Sequence, residues 1–472
     1  MVNINNIIIE IRTDGRLIYE EKEDDSMLQA TQTLEWLIQQ LGHTTDMVNK
    51  PLKSNQKEAT LVFIKTLVDS DKIQQMIIKP FFEIETRGNF IDYLHSLPDG
   101  QEITSQEQML SELSKGSIVV SMNNYLFMFD IKKVHTNTVP ITSLENTVLG
   151  PQSSMSEDIH TNINLIRNRY HQPTLTVEML ELGSKSIQSL AVIYDRELVD
   201  QTALEQIKYR LEQLNSKPLI QSTAELQRLI NGRKVSLFPF FMITERTDRI
   251  VYNLSVGKIV LSLDGDPSTI VAPAIFTDFM AAMDDKYHSK LYTKFVQILR
   301  YVGLFITLLL PGFYVAATSY NPEILHTELA LSVAGSRVGV PYPSYVEVTF
   351  MLIIMELLIE ASIRLPKTIS AAATTVGGLI LGTAITEAAL ASNIMIIVVS
   401  AVAISNFAIP IGELNSAIRV LKYVFILFAT IAGLAGLTFG LLAIVMYLTN
   451  SESYGEPYLK INIDLKSKGE QQ

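Results

Sequence analysis

Glu347, Glu356, Glu360 and Arg364 stand in a stretch otherwise apolar enough for a lipid bilayer, PYPSYVEVTFMLIIMELLIEASIRLP from Pro341 to Pro366. At such a depth these side chains do one of two things: they draw cations along a water-filled path, or they fix a helix by pairing with opposite charges. Spacing sorts them. Glu356, Glu360 and Arg364 recur every fourth residue and form one polar stripe on a helix, while Glu347, nine residues before Glu356, points to the opposite side with Met351, Ile354 and Leu358. Prolines bracket the stretch and neither Pro nor Gly interrupts Ser344 to Leu365, which predicts one helix of about six turns. The segment 344–361 is the candidate for lining a path or a subunit contact.

Other residues with chemical potential lack the spacing for it. No cysteine is present, which excludes disulfides, thiolate metal sites and a Cys nucleophile. The histidines, His43, His95, His135, His160, His171, His288 and His326, include no pair four residues apart, so no metal site is predicted. Gly183-Ser184-Lys185-Ser186 shares its end with a phosphate loop but lacks the earlier glycine, and reads as a surface turn. Asp264-Gly265-Asp266 reads as a hairpin turn rather than a calcium loop. Asp284-Asp285 is either a solvated juncture before the first membrane segment or a cation-attracting vestibule. No catalytic group and no cofactor follow, and an enzyme is not expected.

Composition says what must position the stripe. With 472 residues and 47 % apolar content, and a mean hydropathy of +0.22, the chain is too hydrophobic for an ordinary soluble enzyme and reads as a membrane protein. The apolar residues concentrate after Leu299. Between Lys294 and Asn450 seven basic residues cancel seven acidic ones, so the net charge of −11 lies in the water-soluble part and argues against nucleic acid. The start, MVNINNIIIEIRTDG, has an apolar run too short for a signal segment, which predicts no cleaved leader and a cytosolic N-terminal part.

The first part of the chain repeats a unit. Ile4 to Ile11 reads as a strand and Ser26 to Leu41 as an amphipathic helix containing Trp36. Leu61 to Asp69 (LVFIKTLVD) and Leu190 to Asp200 (LAVIYDRELVD) each read as a buried strand leading into a helix (Lys72 to Phe81; Gln201 to Leu214), with Asp69 and Asp200 as N-caps. Gly116 to Asn124 (GSIVVSMNN) and Gly257 to Gly265 (GKIVLSLDG) each read as a strand running into a turn. The order is the same in both halves, which predicts a duplication. The expected fold is an α/β soluble N-terminal region of two related subdomains, 1–140 and 141–290, followed by an all-α polytopic membrane domain, 291–450, and a tail, 451–472. Between the subdomains, Gly150, Pro151, Asn162, Arg167 and Arg169 belong to a loop and helix expected to form a joint, with Arg167 paired to an acidic group across it.

Four segments are apolar enough to span a bilayer: Tyr301 to Tyr320, Thr368 to Leu390, Asn393 to Ile411 and Val420 to Leu448. Gly378 with Gly382, and Gly436 with Gly440, are small-residue pairs suited to close helix packing. If the helix from Ser344 also crosses, five spans put Lys290, Lys294, Arg364, Lys367, Arg419 and Lys422 on the cytosolic side; if it dips in only partly, there are four.

A family resemblance rests on these residues. Arg300, Pro311, Tyr314, Pro322-Glu323, Glu328, Arg337, Pro341, Pro343, Glu347, Met351, Glu356, Glu360-Ala361, Arg364-Leu365-Pro366, Gly377, Gly382, Ser392, Phe407, Pro410 and the ending Tyr454-Gly455-Glu456-Pro457-Tyr458-Leu459 fall on one pattern. So do Gly150-Pro151, Asn162, Arg167, Arg169, Thr244-Glu245-Arg246, Asp248 and Gly265 in the soluble half. The chain resembles the A subunit of the GerA-type spore germination receptors over nearly its whole length. It departs from the family at Gln152, Tyr342, Leu352 and Ile359, which thins the polar stripe.

The resemblance implies a membrane subunit of the bacterial spore's inner membrane that works with a permease-like B subunit and a lipoprotein C subunit. It also implies a homo-oligomer of A subunits forming a ligand-gated cation channel. The alternatives are a non-conducting scaffold that relays the signal, and a secondary transporter, for which no repeat of the membrane half is visible. With Glu356 and Glu360 turned to an axis, each subunit would supply a double carboxylate ring. With them turned to the bundle, Glu360 pairs with Arg364, and Ile354 and Leu358 form an apolar constriction. The second arrangement is favoured, because unpaired carboxylates in a closed path are costly.

Overall fold

In a computed structural model, residues 8–11, 17–20, 23–54, 57–98, 101–102, 105–123, 125–133, 142, 145, 147, 149–232 and 236–460 are described. The chain divides into two units. One comprises Met1–Thr147, Pro151–Gly232 and Ile243–Val271, and the other Val148–Gly150, Arg233–Met242 and Ala272–Gln472.

The first unit opens with an antiparallel pair, β1 (Ile8–Ile11) and β2 (Leu17–Glu20). The part of the expected first strand before Ile8 lies outside the described residues. Helix α1 (Glu23–Leu41) leads to β3 (Met47–Ser54) and β4 (Lys57–Ile64). A helical run follows, made of α2 (Ser70–Ile73), one wider turn (Gln74–Ile78) and α3 (Lys79–Glu83). Next come α4 (Arg87–Ser96), β5 (Gln101–Glu102), α5 (Gln106–Leu113), β6 (Ser117–Met122) and β7 (Tyr125–Asp130). The strands lie in the order β3-β4-β6-β7-β5.

The period of two along these strands decides which helices cover which face. Leu61 and Phe63 of β4, Ile118 and Val120 of β6, and Phe127 and Phe129 of β7 join Ile73, Ile77 and Phe81 of the run after β4, and Phe90 and Leu94 of α4, in one core. The alternate residues Val62, Val119 and Met128 join Leu37, Leu41, Met109 and Leu113 of α1 and α5 in another. Both faces of the central strands are covered, so β4, β6 and β7 carry nearly continuous apolar runs, whereas the edge strand β3 does not.

The same architecture then recurs. Helix α6 (Ile159–Arg167) precedes β8 (Leu175–Leu182) and β9 (Gln188–Asp195). After them come α7 (Gln201–Gln213), α8 (Thr223–Asn231), β10 (Met242–Thr244), α9 (Thr247–Ser255), β11 (Ile259–Leu263) and β12 (Thr269–Ala272). Read from β8, the second sheet runs β8-β9-β11-β12-β10, so each strand occupies the place of its counterpart five strands earlier. The repeated Leu-Val-Asp ends are equivalent as well. Asp69 accepts from the amides of Asp71 at 3.0 Å and Lys72 at 3.3 Å, and Asp200 accepts from the amide of Thr202 at 2.8 Å. Two related subdomains stand side by side in this unit.

A buried polar joint ties them. Arg167, at the end of α6, donates through Nε and Nη2 to the two carboxylate oxygens of Asp46 at 2.8 and 2.7 Å, and both side chains are almost wholly buried. Thr44 and Thr66 each donate to Asp46 at 2.6 Å, and Asn164 donates to the carbonyl of Thr66 at 2.6 Å. Asn162 braces the loop before α6, exchanging bonds of 2.7 Å with the backbone of Ser156, and Arg169 donates to Ser153 Oγ at 2.8 Å. Burial pushes the Asp46 carboxyl up, but the Arg167 charge and the donors around it outweigh burial and hold it below its ordinary value of 3.8.

The second unit is helical: α10 (Phe276–Met280), α11 (Lys290–Ser319), α12 (Thr327–Ser336), α13 (Ser344–Arg364), α14 (Lys367–Glu387), α15 (Asn393–Asn406) and α16 (Gly412–Thr449), then β13 (Glu452–Ser453) and β14 (Glu456–Pro457). Among the described residues α11 and α16 are long and apolar enough to cross a membrane by length and composition, and Thr375–Glu387 and Asn393–Asn406 are shorter apolar helices. Asp285 is not a solvated juncture. Its carboxylate is nearly buried and accepts from Arg300 Nη2 at 2.9 Å.

Helix α16 doubles back on itself. Ala432 (φ −135°, ψ 19°) and Gly433 (φ 56°, ψ −134°) leave the helical region, and the second of these conformations needs glycine. A Cβ placed on Gly436 would lie 2.0 Å from the carbonyl oxygen of Phe428, and one on Gly440 would lie 3.5 Å from the Phe425 ring. Residues 425 and 440 of a straight helix would be about 22 Å apart, so the two halves run antiparallel as a helical hairpin. Where the sequence reads one apolar segment, Val420 to Leu448, the backbone reverses. After α16 the chain closes against residues that precede α11: the Phe276 amide donates to the Tyr458 carbonyl at 3.0 Å, Ser453 Oγ donates to the Phe240 carbonyl at 3.1 Å, and the Tyr458 ring packs 4.9 Å from that of Phe240.

Replacing Arg167 by Ala strands a buried carboxylate and should lower the unfolding free energy of the purified chain by about 3–5 kcal/mol. The folded-state pKa of Asp46 is depressed, so the stabilisation from this pair is present above the ordinary carboxylate range and is lost as pH falls through the folded value. The gap in thermal stability between wild type and Asp46→Asn should therefore be constant above about pH 4 and close as pH falls further below it; a gap that stays unchanged down to the lowest pH would refute the assignment.

Candidate functional site: paired charges inside the helical unit

One face of α13 is packed into the unit. Ser344, Glu347, Val348, Met351, Leu352 and Met355 are buried, at the spacing of a single helical stripe, while Val346, Phe350, Ile353 and Leu357 are exposed. Ile354 and Leu358 lie between the two faces, and the Leu358 side chain reaches Gly377 of α14.

Each carboxylate of this helix meets a cation. Glu347 is fully buried, faces Arg337 Nε at 3.2 Å and accepts from the backbone amide of Ser392 at 2.7 Å. Ser392 is the N-cap of α15, and its hydroxyl lies 3.2 Å from that of Tyr314 on α11. One buried carboxylate thus collects the segment after α12, the start of α15 and the middle of α11. Glu356 faces the other way and receives two cations from α16, Arg419 Nε at 2.8 Å and Lys422 Nζ at 2.6 Å. The Lys422 side chain has no exposed surface. Glu360 accepts from Arg364 at 2.6 Å, one helical turn away and in the open.

The glycine pairs are treated differently. A Cβ on Gly378 or Gly382 would meet nothing within 4 Å, so these faces of α14 are open, whereas Gly436 and Gly440 lie against Phe428 of the facing half of the hairpin. Close approaches between α11 and its neighbours use two further glycines, Gly312 and Gly303, which the small-residue pairs do not include. A Cβ on Gly312 of α11 would come within 2.8 Å of Leu437 and 3.3 Å of the Phe425 carbonyl, and one on Gly303 within 3.2 Å of Ala408. The signal for them was their position in an otherwise bulky helix. In the proposed joint, Asn162, Arg167 and Arg169 are held as described above; a Cβ on Gly150 (φ 99°) would run into the Tyr287 ring, and Pro151 is half-buried. No group of three or more His, Cys, Asp or Glu side chains that could hold a metal ion occurs among the described residues.

A duplicated α/β region followed by long apolar helices that carry ion pairs within them fits a membrane-associated protein with a large water-soluble part. The chain belongs to the GerA family: the family described as Bacillus/Clostridium GerA spore germination protein matches it over residues 35–472. Spore germination protein GerQA of Bacillus cereus is 30% identical over 433 residues, covering 90% of this chain and 86% of that protein. Spore germination protein GerLA of the same organism is 29% identical, covering 89% and 87%. Spore germination protein B1 of Bacillus subtilis (strain 168) is 29% identical, covering 92% and 91%. The crystal structure of the N-terminal domain of the A subunit of the Bacillus megaterium spore germinant receptor GerK3 is similar over 52% of this chain and 94% of that one, at 21% identity and a TM-score of 0.39.

Removing the shared carboxylate leaves two cations facing each other, so Glu356→Gln should destabilise the purified chain by about 3 kcal/mol. Adding Lys422→Met should recover much of that loss. A double variant no more stable than Glu356→Gln, by thermal unfolding in detergent, would show that the pair does not act as a unit.

Proposed function

We propose that this chain is the A subunit of a nutrient-responsive germination receptor in the spore inner membrane, with its α/β region facing the spore core. Membership of the spore germination family over residues 35–472 carries this reading. In it, several A subunits assemble around an axis with a permease-like B subunit and a lipoprotein C subunit, and the assembly conducts cations when nutrient is bound. Helix α13 lines the axis. Its carboxylates are engaged with Arg337, with Arg419 and Lys422, and with Arg364, which leaves the edge carrying Ile354 and Leu358 apolar and suited to gating by dewetting. The open glycine faces of α14, Gly378 and Gly382, are suited to contact between subunits.

The same pairing favours a second reading, a scaffold that relays binding without conducting, since Glu347, Glu356 and Glu360 each already have a cation. Conductance separates the two. Purified chain in liposomes should pass potassium, and Leu358→Ala should raise the leak and trigger germination of spores without nutrient. Silent liposomes together with dormant, normally responsive Leu358→Ala spores would leave the scaffold.

A further inference from the structure

Arg419 and Lys422 share one carboxylate. Both ion pairs end on Glu356, so the cluster carries one more positive than negative charge, and it does so where Lys422 is fully buried and Arg419 and Glu356 are only about one-fifth exposed. An excess charge in such a place calls for a counter-charge, because the low dielectric around it gives water little room to supply one. An open cavity of ≈ 720 Å³ adjoins the cluster, lined by Glu356, Ser416, Arg419, Val420, Tyr423, Val424 and Leu427. The lining residues of α16 recur at intervals of three and four, so the cavity is a groove along one face of the first half of the hairpin. Its floor is apolar and open: Val420, Val424 and Leu427 are among the more exposed side chains of α16. At one end stands the surplus cation, and away from it the wall is hydrocarbon.

We propose that this groove seats an anionic glycerophospholipid, its phosphate against Arg419 and an acyl chain along Val420, Val424 and Leu427. The inference rests on the membrane reading above. Charge complementarity selects the occupant: a zwitterionic lipid would bring its own cation to a site that already has one too many, whereas a phosphodiester with an uncharged headgroup neutralises it. Hydrocarbon selects a lipid over a free anion, since inorganic phosphate would leave the apolar wall uncovered. Neutralised in this way, Arg419 and Lys422 hold Glu356 and with it the rotation of α13. The lipid would therefore act as a structural ligand of the helix that carries Ile354 and Leu358.

The full chain is first incorporated into vesicles of phosphatidylcholine and of phosphatidylglycerol and floated on a gradient. The detergent-purified chain is then offered both lipids together, and separately inorganic phosphate, and bound lipid is read by native mass spectrometry. The expected result is flotation with both compositions, a preference for phosphatidylglycerol of roughly fivefold or more, and no retained phosphate. Arg419→Gln, which leaves Lys422 and Glu356 matched one to one, should abolish the preference. Val424→Trp, which fills the groove without changing charge, should abolish binding at that site. Failure to float with either composition overturns the membrane reading and this site together. Flotation with no preference, or a preference that survives Arg419→Gln, overturns the lipid site alone. Because the chain has no cysteine, Val424→Cys reports a neighbour directly; an oxidised dimer through that position in the bilayer would put a second copy in the groove and overturn the proposal.

Discussion

The helical unit is organised by the cost of an unmatched charge away from water. That cost is several kcal/mol per ion, larger than any single apolar contact, so the positions of a few Glu, Arg and Lys residues dictate how the helices turn. Glu347 and Glu356 lie on opposite sides of α13 and pull on different neighbours, one on Arg337 and the amide of Ser392, the other on Arg419 and Lys422. A rotation of α13 that improved one set would break the other. The rotation is therefore fixed from two sides, and the position of the apolar edge of Ile354 and Leu358 is fixed as a by-product.

The soluble region applies the same principle where its two halves meet. Its two sheets are built by apolar alternation, which is forgiving, and each would satisfy itself. The contact between the halves is specified instead by Asp46 and Arg167 with their threonines, a set in which every donor and acceptor needs the others in place. Duplication supplied two similar bodies; a polar joint gave them a particular arrangement.

Much of this was legible in the sequence, and the reason differs by element. The duplicated strands could be read because Leu-Val-Asp and Gly-x-Ile-Val combine a local pattern with a local cap, and Asp69 and Asp200 find their amides within three residues. The Glu360–Arg364 pair was visible at one turn. The partners of Glu356 were not, since they lie 63 and 66 residues away and no periodicity links them. The reversal in α16 was hidden for another reason. Glycine is common in membrane helices, so Gly433 looked like its neighbours, and Gly436 and Gly440 read as a surface for another helix when they make room for Phe428 of their own.

The clasp between Tyr458 and Phe276 imposes a rule of parity on everything between them. Each passage of a helix through a bilayer exchanges one aqueous compartment for the other, like a change of sign. The chain leaves Phe276, runs through α11 to α16, and returns to a residue hydrogen-bonded to its starting point. The product of any such sign changes along that closed path must be positive, so helices α11 to α16, if they cross a bilayer, do so an even number of times. In α16 the stretch that hydropathy scores once is two antiparallel arms, so a single entry for it in that product is replaced by a pair that leaves the sign unchanged.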